Sequence, residues 1–577
     1  MSIEILNQVF EKLSQYEKVS VLTAQEKKKY GYNDSYIIWK VNTEILVDNQ
    51  LLEICLLILF LNEFPLVFPK VFLCPESYEF INNLPHIDSN KFVCTFDTVI
   101  TKPNPIEPFG ITYESIKKAK EIIEKGLNKE NYSDFEDEFI SYWEDKYDKE
   151  KEFPISILLL FDNEEEYEKI RLLKLDSKVG SYNYVLHNGN TQSKNFIKYL
   201  TDFGIKYTEH KVFYLGDINF KNTPPFNINN RESIEFIDEN LLKKFIKYVN
   251  SSEYPKLVLL NKNLNGEVFY FGWFYQNIKT NLKGFRKGKL KAFDWISKLA
   301  KSGLVKRFST EKYTYNRLMN RSSGYIESKK YSFSIAGVGS IGSNLFPFLN
   351  SMNFPEFRFI DNDTLKLENI ARHFLGFNYL GFNKAKALNL YIKQSNPIQN
   401  VFFKDASIFN VVSNNPDFIN NSDFLFVAIG DSNIESWLGD KIKTKEIKIP
   451  TFFIWVEPYL AGGHCLFINP DDNLHYSSFF EGDFFKYNII SKEAYKTNLD
   501  LLSLKEAGCQ TTYTPYSSSN ITAFLVSLYP KISQIIDCEN HKTTSFTWIG
   551  DINNIEKIGI KISNGKLKEK IGKIISN

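Results

Sequence analysis

A series of short stretches between Tyr315 and Asn433 carries residue types suited to phosphate chemistry. Ile335-Ala-Gly337-Val-Gly339-Ser-Ile-Gly342 is a G-x-G-x-x-G set that follows an apolar run and opens a helical pattern. Glycines at that spacing let the backbone approach a phosphate, and the helix N-terminus supplies donors and partial positive charge. Downstream come Asp361-Asn-Asp363, Glu368-Asn369-Ile-Ala-Arg372, Gly381-Phe-Asn-Lys384 and Gly430-Asp431-Ser-Asn433, with Tyr315-Asn316-Arg317 upstream. Asp361 stands at the strand end where an acidic side chain meets a ribose hydroxyl. A nicotinamide dehydrogenase would share the loop and that acid. It has no use for Arg317, Arg372 and Lys384 converging on phosphates. An enzyme that breaks the α–β phosphate bond of ATP does, because negative charge builds on both fragments. Asp431 would then hold magnesium together with the phosphates.

Two cysteines are placed for acyl chemistry. Cys509 lies in Gly508-Cys509-Gln-Thr-Thr-Tyr-Thr-Pro515, a polar segment in which a thiolate could attack an acyl adenylate. Cys94 follows Phe64-Pro65-Leu-Val-Phe-Pro69 and Leu84-Pro85-His86-Ile87. His86 could donate a hydrogen bond there or act as a general acid or base. The other cysteines, at 55, 74, 465 and 538, form no C-x-x-C pair. A four-cysteine zinc site therefore has no signature, and reduced thiols are expected. Glu457 and His464 are weaker candidates for the nucleotide pocket.

The later stretches resemble, in order, the motifs of the adenylation domain shared by ubiquitin-activating enzymes and ThiF-like proteins. Gly337, Gly339, Gly342, Asp361, Asp363, Asn369, Arg372, Lys384 and Asp431 fall on that pattern, and Arg317 resembles the arginine that reaches a partner subunit's site. Cys509 resembles the family's catalytic cysteine segment. The stretch from Phe64 to Cys94 resembles ubiquitin-conjugating enzymes, with Pro85 and Ile87 on the H-P-N-I motif, Leu84 in place of its histidine and His86 in place of its asparagine. The whole arrangement resembles the fused enzyme of bacterial CBASS antiphage operons. That resemblance implies adenylation of the C-terminal carboxylate of a cGAS-like nucleotidyltransferase, a thioester on Cys509 and then Cys94, and ligation to an amine of a target protein. It also implies ATP and magnesium, and a homodimer through the adenylation domains. The same relay acting on a bacterial ubiquitin-like modifier, or a ThiF-like role in cofactor sulfur transfer, stays open.

Positioning these residues requires several domains. The 577 residues set a prior of three to four at roughly 150 residues each. We expect an α+β ubiquitin-conjugating-like domain over 1–150, an α/β linker domain over 151–305 and a Rossmann-like ThiF adenylation domain over 306–577. In the first, Thr112 is expected to cap a helix bearing Ile116, Ala119, Ile122 and Ile123. The middle stretch offers strands but no motif. A net charge of +1 argues against a general nucleic-acid binder. The longest apolar run, Ile54–Leu61, is too short to cross a bilayer. A bacterial cytoplasmic enzyme with protein partners is the expectation.

Overall fold

The computed structural model describes residues 3–81, 83–147, 150, 152–164, 166–218, 220, 223–252, 254–286, 288–322, 329–505, 512–513, 515–538 and 542–577. They form two compact units: Met1–Asn188 with Lys206–Tyr313, and Gly189–Ile205 with Thr314–Asn577.

The first unit opens with an antiparallel meander in sequence order: β1 (Lys18–Val21), β2 (Ile37–Val47), β3 (Gln50–Phe60), β4 (Lys70–Leu73) and β5 (Phe92–Val93). The period of two in β3 sorts its side chains between faces. Ile54, Leu56, Ile58 and Phe60 pack against the helices Ile3–Leu13 and Pro108–Leu127, while Leu57 and Leu59 meet Leu22 and Ile38 behind them. The longer helix starts at Pro108, a residue pre-set for the first helical position. Thr112 therefore lies a turn inside and its hydroxyl donates to the Pro108 carbonyl, so it is not the cap. A second correction concerns Cys55 and Cys74. They are disulfide-bonded, with Cα atoms 5.4 Å apart, because β3 and the end of β4 bring two distant positions side by side.

An eight-stranded sheet follows in the order β10-β11-β12-β13-β6-β8-β7-β9. Its strands are β6 (Ile155–Leu159), β7 (Arg171–Val179), β8 (Tyr182–His187), β9 (Tyr207–Lys211), β10 (Phe213–Gly216), β11 (Lys256–Leu264), β12 (Glu267–Tyr275) and β13 (Lys306–Lys312). β13 runs antiparallel to β12 and parallel to β6, which carries this sheet past the expected boundary at 305. The sheet also takes in the tail of the preceding region. Phe135, Phe139, Trp143 and Tyr147 share one core with Phe226, Phe271 and Trp273. The fully buried Arg307 on β13 holds the Glu150 carboxylate and the Trp143 and Asp145 carbonyls. The helices Asp134–Asp137 and Phe139–Glu144 thus belong to the core of the second sheet.

The second unit is built on the sheet β16-β15-β14-β17-β18-β19-β24-β25. β14 (Ser332–Ala336), β15 (Glu356–Ile360), β16 (Val401–Lys404), β17 (Phe424–Val427) and β18 (Thr451–Val456) are parallel; β19 (Gly462–Ile468), β24 (Thr544–Ile549) and β25 (Ile574–Ser576) complete it antiparallel. Phe424 and Phe426 face the helices Ser340–Asn350 and Ser518–Ile536; Leu425 and Val427 face Ile408–Asn414 and Ser432–Lys443. Burial on both faces explains why β17 reads as an unbroken apolar run. Two hairpins, β20 (Phe480–Glu481) with β21 (Phe484–Phe485) and β22 (Leu504–Lys505) with β23 (Thr512–Tyr513), lie between β19 and β24 in sequence. No helix among the described residues is long and apolar enough to cross a membrane.

Trp143 is 1% exposed and its indole N–H donates to the Phe308 carbonyl at 2.8 Å. Trp143→Ala removes both, and is expected to destabilise the first unit by about 3–5 kcal/mol. Guanidinium unfolding of the full chain checks this; an unchanged first transition would remove Trp143 as an anchor.

Candidate functional site

In the second unit the chain leaves β14 through Gly337, whose φ of +81° an L side chain rarely adopts. A Cβ at Gly337 would come within 2.6 Å of the Ala428 carbonyl oxygen, and one at Gly342 within 2.0 Å of the Gly337 oxygen. These two glycines let three backbone segments converge. Gly339 differs: its Cβ would meet open space, and it caps the helix Ser340–Asn350 with no side chain in the way. The helix N-terminus therefore faces an open cleft of about 990 Å³. Gly339, Ser340, Asp363 and Arg372 line one part of it, and the aromatic rings of Trp455, Tyr476, Phe480 and Phe485 another.

The acidic pair is tied to the loop. Asp361 accepts N–H bonds from Val338 and Asp363, each at 2.8 Å, and burial pushes its carboxyl above the usual range. Lys384, which opens the helix Lys384–Ser395, reaches Asp363 at 3.1 Å. Its neighbour Asn383 donates to the carbonyls of Asp361 and Asp363 and to Asp405. Asn369 accepts the Lys366 N–H and so shapes the turn before Arg372; the Arg372 guanidinium lies 4.9 Å from the Tyr516 ring. The structure thus brings Gly337, Gly339, Gly342, Asp361, Asp363, Asn369, Arg372 and Lys384 into one neighbourhood.

Five sequence candidates stand differently. Asp431 is exposed and caps the helix Ser432–Lys443, accepting the N–H groups of Asn433 and Ile434 at 3.0 and 3.1 Å; Gly430 and Ser432 line the cleft beside it. No group of three His, Cys, Asp or Glu side chains suited to a metal ion occurs among the described residues. Arg317, on the helix Tyr315–Ser322, is outside the cleft lining of its own chain. Cys509 lies outside the described residues, between β22 and β23 in sequence. Of the two weaker candidates, Glu457 lines the cleft and His464 does not; they meet at 2.7 Å, and Glu457 also accepts the N–H groups of Ile489 and Ile490. Two residues escaped the sequence reading. His373 donates from Nε2 to the Val338 carbonyl while its Nδ1 accepts the Leu375 N–H; burial pushes its pKa down to about 4, so it stays neutral and braces the glycine loop. Glu435, in the cleft wall, accepts the Gly430 N–H at 3.0 Å and is pushed up to about 8 by burial.

The thiol site belongs to the first unit. Cys94 follows β5, is exposed, and donates its backbone N–H to the His86 carbonyl at 2.8 Å. His86 has a φ of +63°, in the left-handed region that Asn and His enter more readily than most residues. That shared tolerance accounts for a histidine where the resembling motif has asparagine. The imidazole does not point a free nitrogen at the thiol. Its Nε2 meets Asp134 at 3.0 Å and its Nδ1 meets Glu138 at 3.1 Å. The Tyr142 hydroxyl donates to the other oxygen of Glu138 and accepts the His86 N–H. Two carboxylates favour a proton on each ring nitrogen. The Glu138 bond foremost raises the His86 pKa, and the His86 bond lowers that of Glu138. Both ring nitrogens of His86 are thus held by carboxylates, so in this arrangement it acts as a clamp, with neither nitrogen aimed at the thiol for the general acid or base role expected of it. Asp134, Glu138 and Tyr142 had no motif to reveal them.

Cys94 opens onto a cleft of about 360 Å³ lined also by Asp88, Glu138, Glu144 and Asp145. It also opens onto a wider one of about 1000 Å³ with Asp97, Lys118, Lys125, Glu130 and Asp134. Partial burial raises the thiol pKa, and Glu138, Asp97 and Asp88 raise it further. Because the folded pKa of His86 lies above its unfolded value, the clamp's stabilisation is complete below the ordinary His pKa of about 6.5 and is lost as pH rises through the raised one. Glu138 bounds it from below: its contribution is lost as pH falls beneath the ordinary Glu range near about 4.3. His86→Gln should flatten the fall in melting temperature on going from mildly acidic to alkaline pH. Parallel wild-type and variant melting curves across that interval would count against the clamp.

Residues 13–152 match the family model Prokaryotic E2 family B, and residues 315–512 match the ThiF family. No curated protein matches the chain. Among solved structures, crystalline selenomethionine PaaA is 16% identical, with a TM-score of 0.29 over 41% of this chain and 69% of that one. The crystal structure of E. coli MccB with MccA-N7isoASN is 15% identical, with a TM-score of 0.29 over 41% of this chain and 65% of that one. E. coli MccB with ATP is 15% identical, with a TM-score of 0.28 over 43% and 70%. The two family models place a prokaryotic E2-type domain ahead of a ThiF domain on one chain.

Proposed function

We propose that the protein activates the C-terminal carboxylate of another protein with ATP, carries it as a thioester and ligates it to an amine. The observation that carries this is the presence on one chain of a glycine-loop cleft and an exposed, backbone-anchored Cys94. The cleft suits a nucleotide: an unobstructed helix N-terminus for phosphates, with Arg372 beside it and Lys384 behind Asp363. Asp361 would meet the ribose. Magnesium, when it accompanies the nucleotide, would be held by Asp431 and phosphate oxygens and would neutralise charge on the leaving group.

In this reading the incoming carboxylate attacks the α-phosphorus, the bond to the β-phosphate breaks and pyrophosphate leaves. Arg372 and Lys384 oppose the growing negative charge, and Arg317 would act from a partner subunit of a homodimer. The Cys509 thiolate displaces AMP to form a thioester, and the Cys94 thiolate then takes the acyl group and releases Cys509. A target amine attacks the acyl carbon, loses a proton and frees the Cys94 thiolate. Carriage on one chain replaces a bimolecular encounter by an effective concentration. The substrate we propose is the C-terminus of a cGAS-like nucleotidyltransferase, primed for antiphage signalling in the bacterial cytoplasm.

The test mixes the protein with ATP and a cGAS-like nucleotidyltransferase, and follows reducible and stable adducts by intact mass. Cys94→Ala should abolish the stable amide product; undiminished product would exclude the relay. Arg372→Ala should slow ATP–pyrophosphate exchange by about 100-fold or more. Asp431→Asn keeps an oxygen for the helix cap and removes the charge. It should cut exchange to a similar degree, whereas wild-type exchange would reduce Asp431 to a cap.

A further inference from the structure

The second sheet of the first unit has no catalytic motif, yet one of its strands is joined to Cys94 by a continuous hydrogen-bonded path. Arg307 on β13 has no exposed side-chain surface. Its Nε donates to Glu150 at 2.9 Å, its Nη1 to the Trp143 carbonyl, and its Nη2 to the Asp145 carbonyl at 2.6 Å. The guanidinium also lies 5.2 Å and 5.1 Å from the rings of Trp143 and Tyr147. The position of residues 143–147 is therefore set by β13. The same segment turns its other side to the thiol site. Tyr142 accepts the His86 N–H at 2.7 Å and donates to Glu138 at 2.8 Å. The Asp145 carboxylate accepts from the Ser89 N–H at 2.8 Å and from its hydroxyl. His86 and Ser89 belong to the loop whose His86 carbonyl holds the Cys94 N–H.

We propose that Arg307 is a positioning residue for Cys94. Through residues 142–145 it sets the loop and the carboxylate wall against which the thiol reacts. The middle sheet is then part of the acyl-transfer site rather than a spacer. This rests on the reading of Cys94 as an acyl carrier. Asp88 reaches the thiol from the His86–Ser89 loop, Asp97 from the segment after β5, and Glu138 from the clamp, with Lys118 and Lys125 across the wider cleft. Loosening residues 142–145 withdraws Glu138 and lets the thiol ionise more easily.

The experiment measures alkylation of Cys94 by iodoacetamide across neutral to alkaline pH in the full chain, read on the Cys94 peptide by mass spectrometry. Arg307→Lys keeps a charge without the planar fork, and Arg307→Met removes both. Near neutral pH, Arg307→Lys should alkylate about threefold faster than wild type and Arg307→Met faster still, with the pH midpoint moved down. Tyr142→Phe, which removes the hydroxyl bridge from the His86 backbone N–H to Glu138 and leaves the direct imidazole–Glu138 contact, should shift it the same way. A folded Arg307→Lys protein with the wild-type profile overturns the proposal. Where neither Arg307 variant folds, an unchanged profile in Tyr142→Phe overturns it. Alkylation needs neither ATP nor a modifier. A shifted profile in a protein that forms no ATP-dependent thioester therefore supports the positioning role and rejects the acyl-carrier reading alone.

Discussion

A guanidinium cannot shed its charge inside a protein, so the complete burial of Arg307 constrains everything near it. Its donors must be met, and they are met by Glu150 and by two carbonyls of a segment that sequence order assigns to the preceding region. Breaking such an arrangement by removing one partner typically costs about 3–5 kcal/mol. The tail of the conjugating-type region therefore cannot separate cheaply from the middle sheet. This is the physical reason that residues 1–188 and 206–313 form one compact unit.

The two sites solve the problem of orientation in different ways. In the ThiF domain the chemistry-facing surface is mostly backbone. Gly337 and Gly342 permit close approach, and Asp361, Asn383 and His373 each hydrogen-bond to the loop and the segment beside it. At Cys94 the orientation comes from side chains, with an imidazolium held between two carboxylates and a tyrosine closing the set. A backbone cradle suits a ligand whose charge is always the same. A side-chain clamp ties its site to pH, because each member can lose its charge.

Much of the candidate site was legible because its motifs are local. The glycine spacing, the acids at 361 and 363, and Arg372 with Lys384 each lie on one strand–turn–helix unit, so order in the sequence translates directly into proximity. Of the meander, β3 was legible as the continuous apolar run Ile54–Leu61. What escaped were residues whose partners are far away in the sequence. Glu138 and Asp134 meet His86 across more than forty residues, and Arg307 meets Trp143 across a separation of 164. The Cys55–Cys74 bond escaped for the same reason, since the pairing follows from strand register and not from spacing.

The sequence alone determined the fold class, the presence of a nucleotide-type loop, and an N-terminal thiol in a conjugating-type setting. The loop depends on residue type and local spacing, and the rest on an order of short motifs that resembles known families. Only the tertiary structure decided that two carboxylates hold the ring nitrogens of His86, that Asp431 caps a helix, and that the middle sheet is tied through residues 142–145 to the Cys94 loop. Those facts depend on which partner each polar group finds once the chain is compact. A buried donor or acceptor takes whatever partner the packing brings within about 3 Å, and no local pattern records it.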